Sequence, residues 1–87
     1  QMSDAIPATL DALPVGSAAR VSAIRWEMVP DAEAARLRDL GLFEGVEVEA
    51  LHRGALFFRD PLAVRVGRMR VVMRAAHAAA IGIEPAA

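Results

Sequence analysis

The sequence predicts a mainly β fold with short helices: a small β-barrel of about five strands, with one short helix between the first two. Three observations carry this reading. Val46-Glu47-Val48-Glu49-Ala50 alternates apolar and charged residues, the period of a strand with one buried face. Leu62, Val64 and Val66 are answered across Gly67-Arg68 by Met69, Val71 and Met73, which makes two inward rows joined by a two-residue turn with glycine where positive φ is needed. Between Arg36 and Val48 a short helix stops at Gly41 and a strand starts past Gly45.

Taken in order, Ala8 to Leu13 can form one helical turn, and Pro14-Val15-Gly16-Ser17 then turns the backbone. Ala18 to Arg25 follows as a first strand, but Val21 and Ile24 break strict alternation, so the strand should be bulged or bent. Pro30-Asp31 opens the helix: Asp31 is placed to accept bonds from free amide donors, and Glu33 lies in the positive first turn. Leu37 and Leu40 share one face with Ala34 at its edge, and the helix should end at Leu40. So short a helix is stable only when that face is packed against other elements. In the second strand Leu51 slips onto the glutamate face, which predicts a bulge or the strand's end there. Arg65 should face outward from the third strand, and Arg68, Arg70 and Arg74 from the fourth. Ala75 to Ala80 forms a last turn before the closing strand Ile81-Gly82-Ile83. Residues 1–7 read as a disordered start, with Gln1 foreign to the fold; 8–84 as the domain; and 85–87 as a tail.

Composition narrows the function. The chain has 87 residues and no cysteine, so thiolate metal sites, disulfides and thiol nucleophiles are excluded. Its apolar tracts are interrupted well before the roughly 20 residues that span a bilayer, and no signal-peptide pattern opens it; the expectation is a soluble, cytoplasmic protein with no direct membrane insertion. A net charge of −1 offers no global attraction for nucleic acid. All ten basic residues are arginine.

Leu10, Leu13 and Gly16, then Arg36-Leu37 with Asp39-Leu40-Gly41-Leu42 and Gly45, then Asp60-Pro61, then Arg74 with Ala78, Ile81 and Ile83, together resemble the FeoA domain. The resemblance spans nearly the whole chain. It implies an SH3-like barrel and a small accessory of ferrous-iron transport, recruited from the cytosol to the inner face of the membrane by the cytosolic part of FeoB, a transporter with its own GTP-binding domain. Phe43-Glu44-Gly45, His77 and Phe57-Phe58 depart from the family pattern. Leu37, Leu40, Gly41, Gly45, Asp60, Pro61 and Gly67 have structural work: glycines for tight turns, Asp60 for bonds to nearby amides, and Pro61 to fix φ at the start of the third strand.

Candidate chemistry is sparse. No serine stands at a telling spacing from His52 or His77, no convergent ligand set surrounds either, and no phosphate-cradling loop is present, so neither an enzyme nor a cofactor is expected. Glu47 and Glu49 read as a solvated strand face opposite arginines such as Arg65. The arginine row on the hairpin raises single-stranded nucleic-acid binding as an alternative, but no aromatics interleave it, and nucleic acid is not the expected partner. A detached relative of the SH3-like domain of iron-dependent repressors is the other alternative. Large apolar residues mark the expected partner contacts, namely Trp26, Met28, Leu56, Phe57 and Phe58, with the last three alternatively forming a lid on the barrel. A homo-oligomer through an exposed edge is also open.

Overall fold

Five strands, β1 (Ala18–Ile24), β2 (Glu47–Arg53), β3 (Leu62–Val66), β4 (Met69–Met73) and β5 (Ile81–Glu84), pair antiparallel in one sheet of order β4-β3-β2-β1-β5. The computed structural model describes residues 9–54 and 60–86. Side chains from all five strands meet in one buried cluster, which requires the sheet to curl round its core: Val21, Val48, Val64, Val71 and Ile81 are each no more than 2% exposed. Both predicted irregularities are present. The β1–β5 register shifts between Val21 and Ala23, and the β2–β3 register shifts between Ala50 and His52. In each case an extra residue on one strand bends it locally, and the buried residues Ala19 and Val21 in β1 and Val48 and Ala50 in β2 precede the shift.

The helix α1 (Asp31–Asp39) lies between β1 and β2, as the sequence predicts, and a 3-10 turn at Trp26–Met28 precedes it. Its start differs from expectation. Pro30, not Asp31, is the residue before the first helical one, and no side chain caps the end. Proline has no N–H to lose there, and its carbonyl accepts the first helical bond from Ala34 at 2.8 Å. Asp31 is inside the helix, where with Glu33 it puts negative charge in the first turn. The C-terminus follows the prediction closely. Leu42 donates to the Leu37 carbonyl and Gly41 to that of Arg38, both at 3.0 Å, while Gly41 adopts φ 99°. This paired closure satisfies the last carbonyls and buries Leu42 beside Leu37.

The β3–β4 hairpin turns at Gly67-Arg68 with φ 59° at Gly67. Val71 and Met73 point inward as predicted, but Met69 does not join them and is 48% exposed. It is the residue next to the turn on an edge strand, with a neighbouring strand on one side only, whereas its partner Val66 lies between β4 and β2 and is 2% exposed. A short helix, α2 (Ala75–Ala78), then leads to β5, and its first amide donates to Asp60 Oδ1 at 2.6 Å. The carboxylate expected to bond nearby amides therefore ties the start of β3 to the end of the hairpin.

Gly54 shows a constraint of another kind. A Cβ there would collide with the backbone of Asp60, so the two ends of the β2–β3 connection touch directly. Around Gly41, by contrast, a Cβ meets nothing within 4 Å, and only the backbone conformation resists substitution. Gly41→Ala should thus cost about 1–2 kcal/mol in urea unfolding, and Gly54→Ala about 3 kcal/mol, the upper range for forced overpacking. Equal losses at the two positions would contradict this assignment.

Candidate interaction surface

The turn before α1 divides its residues between anchoring and display. Trp26 is half-buried against the core cluster and Val29 is fully buried, whereas Met28 between them is 53% exposed. The Arg38 guanidinium, projecting from α1, sits 4.2 Å from the centre of the Trp26 ring. That cation-π contact is worth about 0.5–1 kcal/mol at an exposed site, and Met28 is displayed from the same 3-10 turn, between half-buried Trp26 and buried Val29. Leu56, Phe57 and Phe58, the other expected contacts, lie outside the described residues. Phe43, just past Gly41, is 58% exposed and did not stand out in the sequence as a contact residue. Its position in the loop between two glycines was the available signal.

A polar cluster lies where α1 meets the hairpin. Arg36 makes two bonds to the Glu33 carboxylate, at 2.9 and 2.6 Å, and its Nη2 also donates to the Val72 carbonyl at 2.8 Å. His77 of α2 sets its Nδ1 3.8 Å from Glu33, too far for a hydrogen bond, and that buried nitrogen has no hydrogen-bond partner among the described residues. With Pro61, Met73 and Val72 these side chains line a shallow cleft of about 230 Å³. The Arg36 hydrogen bond is the main reason the Glu33 carboxyl is held below the usual glutamate range, with partial burial opposing it. Arg36 is correspondingly pushed up by the same bond. The i, i+3 spacing of Glu33 and Arg36 could be read from sequence; the reach to Val72 could not.

The arginine row on the hairpin is only partly available. Arg65 lies opposite Glu49 in the β2–β3 register and donates to it at 2.8 Å and to the Gly67 carbonyl at 2.8 Å, as the alternating Glu47 and Glu49 led us to expect. Arg68, Arg70 and Arg74 are exposed. Among the described residues no group of three or more His, Cys, Asp or Glu side chains converges as a metal site. No helix among them is long and apolar enough to cross a membrane.

The FeoA-domain family profile matches residues 8–85. The chain belongs to the FeoA family. Solved FeoA structures share its architecture. FeoA from Chlorobium tepidum is 30% identical, with a TM-score of 0.78 over 91% of this chain and 70% of its own. The zinc complex of FeoA from Stenotrophomonas maltophilia, described as an SH3-domain protein and a candidate activating factor for ferrous-iron transport, is 32% identical, with a TM-score of 0.72 over 93% of this chain and 100% of its own. Iron(II) transport protein A from Clostridium thermocellum is 25% identical, with a TM-score of 0.74, over 88% of this chain and 44% of its own. Comparison with curated protein sequences gave no significant match. The fold is accordingly SH3-like, and the FeoA motif residues occupy its turns and core: Leu37 is buried, Leu40 packs on the cluster, Gly45 takes φ 95°, and Asp60-Pro61 leads into β3.

The lowered Glu33 ionisation has a pH signature. Because the folded state favours the carboxylate, its stabilisation is complete above the ordinary glutamate range and is lost as pH falls through the lower folded value. Glu33→Gln should therefore unfold with a shallower loss of stability in acid than the parent chain, and should be about 0.5 kcal/mol less stable at neutral pH, the scale of an exposed pair. Denaturant midpoints measured from neutral to acid pH would test this, and parallel profiles for the two chains would refute it.

Proposed function

We propose that this chain is a non-enzymatic accessory of ferrous-iron transport that binds the cytosolic part of a FeoB-type transporter and modulates its uptake or nucleotide cycle. The observation that carries the reading is the FeoA-family match over residues 8–85 on an SH3-like fold. The surface is in keeping with a binding module: Met28 is exposed on the turn whose Trp26 packs against Arg38, and the family motif residues are spent on scaffold. Preorganised apolar groups of this kind bind with little ordering cost. The GTP chemistry belongs to the partner in this reading, and the accessory acts in the cytoplasm at the membrane's inner face.

Titration with the transporter's soluble cytosolic regions tests the proposal directly. Binding is expected, together with reduced ferrous-iron uptake in a deletion strain; no binding and normal uptake would refute it. Met28→Ser should weaken binding about tenfold, a loss of roughly 1.4 kcal/mol, with circular dichroism unchanged because the side chain is outside the core. Undiminished binding by that variant would remove Met28 from the interface.

A further inference from the structure

We propose that the free edge of β4 is a docking site for an extended acidic segment of a partner protein, which adds to the sheet as a further strand and sets a carboxylate against Arg70. The inference rests on the reading of the chain as a protein-binding module and names where and how it binds.

The register of the hairpin exposes the edge. Val66 and Met69 flank a two-residue turn and are directly paired, so the backbone groups of Met69, Val71 and Met73 face β3. Those of Arg70 and Val72 must then face away. Independent support comes from Arg36, whose Nη2 reaches the outward carbonyl of Val72 at 2.8 Å. The Arg70 N–H, the Arg70 carbonyl and the Val72 N–H bond to no group among the described residues. The opposite edge of the sheet differs, because Thr9 bridges to Gly82 of β5.

Charge selects the occupant. On the outer face Arg70 lies opposite Arg65, and Arg65 is already committed to Glu49 and to the Gly67 carbonyl. Arg70 is left as an exposed cation with Arg68 in the adjoining turn and Val72, 48% exposed, two residues on. A strand laid along this edge would pair an acidic side chain with Arg70 and, two residues further, an apolar one with Val72. Arg36 ends the site by occupying the next acceptor.

A second copy fits poorly. Antiparallel pairing of β4 with itself about Val71 sets Arg68 opposite Arg74, and pairing about Arg70 sets that arginine against its own copy. Either register also asks for the Val72 carbonyl that Arg36 holds, so these arginines protect the edge from self-pairing.

The test is an amide NMR titration of the whole chain with a short capped peptide carrying Glu and Val alternately on one face and Thr on the other, beside the same peptide with Lys in place of Glu. Binding of the Glu peptide should slow amide exchange at Arg70 and Val72, and the Lys peptide should bind at least about tenfold more weakly. Arg70→Glu should reverse that preference. Val72→Pro removes an edge N–H that makes no bond within the sheet, and should weaken the Glu peptide about tenfold; if that variant does not fold, the exposed Arg70→Glu change carries the test. No binding of the Glu peptide, equal binding of the two peptides, or protection centred on Trp26 and Met28 overturns the proposal. So does edge protection that grows with protein concentration in the absence of peptide, the mark of self-association. If Arg70→Glu binds the transporter's cytosolic regions as tightly as the parent chain, the edge is refuted and the accessory reading survives. A parent chain that protects β4 with the peptide but ignores those regions supports the edge and refutes the accessory reading.

Discussion

Leu37 joins the two halves of this fold through one residue. Its side chain is 1% exposed in the core, and its carbonyl accepts from Leu40 and Leu42 at the end of α1. A nine-residue helix with no side-chain cap has little stability of its own, so α1 exists because its leucine face is buried by the sheet. Burial of such a side chain contributes about 1.5–3 kcal/mol, comparable to the two bonds its carbonyl accepts at about 0.5–1.5 kcal/mol each. The chain reversal at Gly41 depends on the same residue. It returns the backbone to β1, where the Gly45 amide donates to the Val21 carbonyl and Val21 donates to Val46, and β2 then starts in register.

The sheet that grows from this point curls without pairing its two outer strands to each other, so it keeps two edges. They are managed differently. The β5 edge meets the backbone of Thr9, and Arg53, Arg20 and Asp60 tie further segments to the sheet through backbone groups. Among the described residues the β4 edge receives one guanidinium, that of Arg36, from a helix that is itself held by Leu37. Thus α1 links the core, through Ala34 and Leu37, to the β4 edge, through Arg36.

Much of this was legible in the sequence, for a physical reason: strands announce themselves by side-chain alternation and bulges by its interruption. The broken alternation of Val21 and Ile24 and the slip at Leu51 fall where the registers shift, and the strand face of Glu47 and Glu49, read as lying opposite arginines such as Arg65, does set Glu49 against Arg65 in an ion pair. Local rules failed where the deciding partner was distant. Asp31 is a good capping residue by type, but the geometry of Pro30 moved the helix start by one position. Met69 obeys strand parity and still lies outside the core, because parity does not report that it is the turn-end residue of an edge strand, while its partner Val66, flanked by strands on both sides, is buried. Arg36 and Val72 are 36 residues apart, and no period or motif connects them. The stacking of Arg38 on Trp26 is of the same kind. The interaction surface was consequently less legible than the scaffold, since it is assembled from single contacts between elements while the scaffold is repeated along them.

That difference bears on how a protein this small can be specific. Among the described residues most large apolar side chains are in the core, and the exposed ones are Val15, Met28, Phe43, Met69 and Val72. Met28 and Phe43 are exposed, but isolated apolar contacts confer little selectivity. An open backbone edge supplies directional bonds without using any core side chain, and the arginines beside it add a sign. The same positive charges that oppose pairing between identical copies favour an acidic strand, so protection of the edge and choice of partner are one electrostatic property. Because it couples directional backbone bonds to a choice of sign, β4 is a better basis for selective binding than isolated apolar exposures such as Met28 and Phe43.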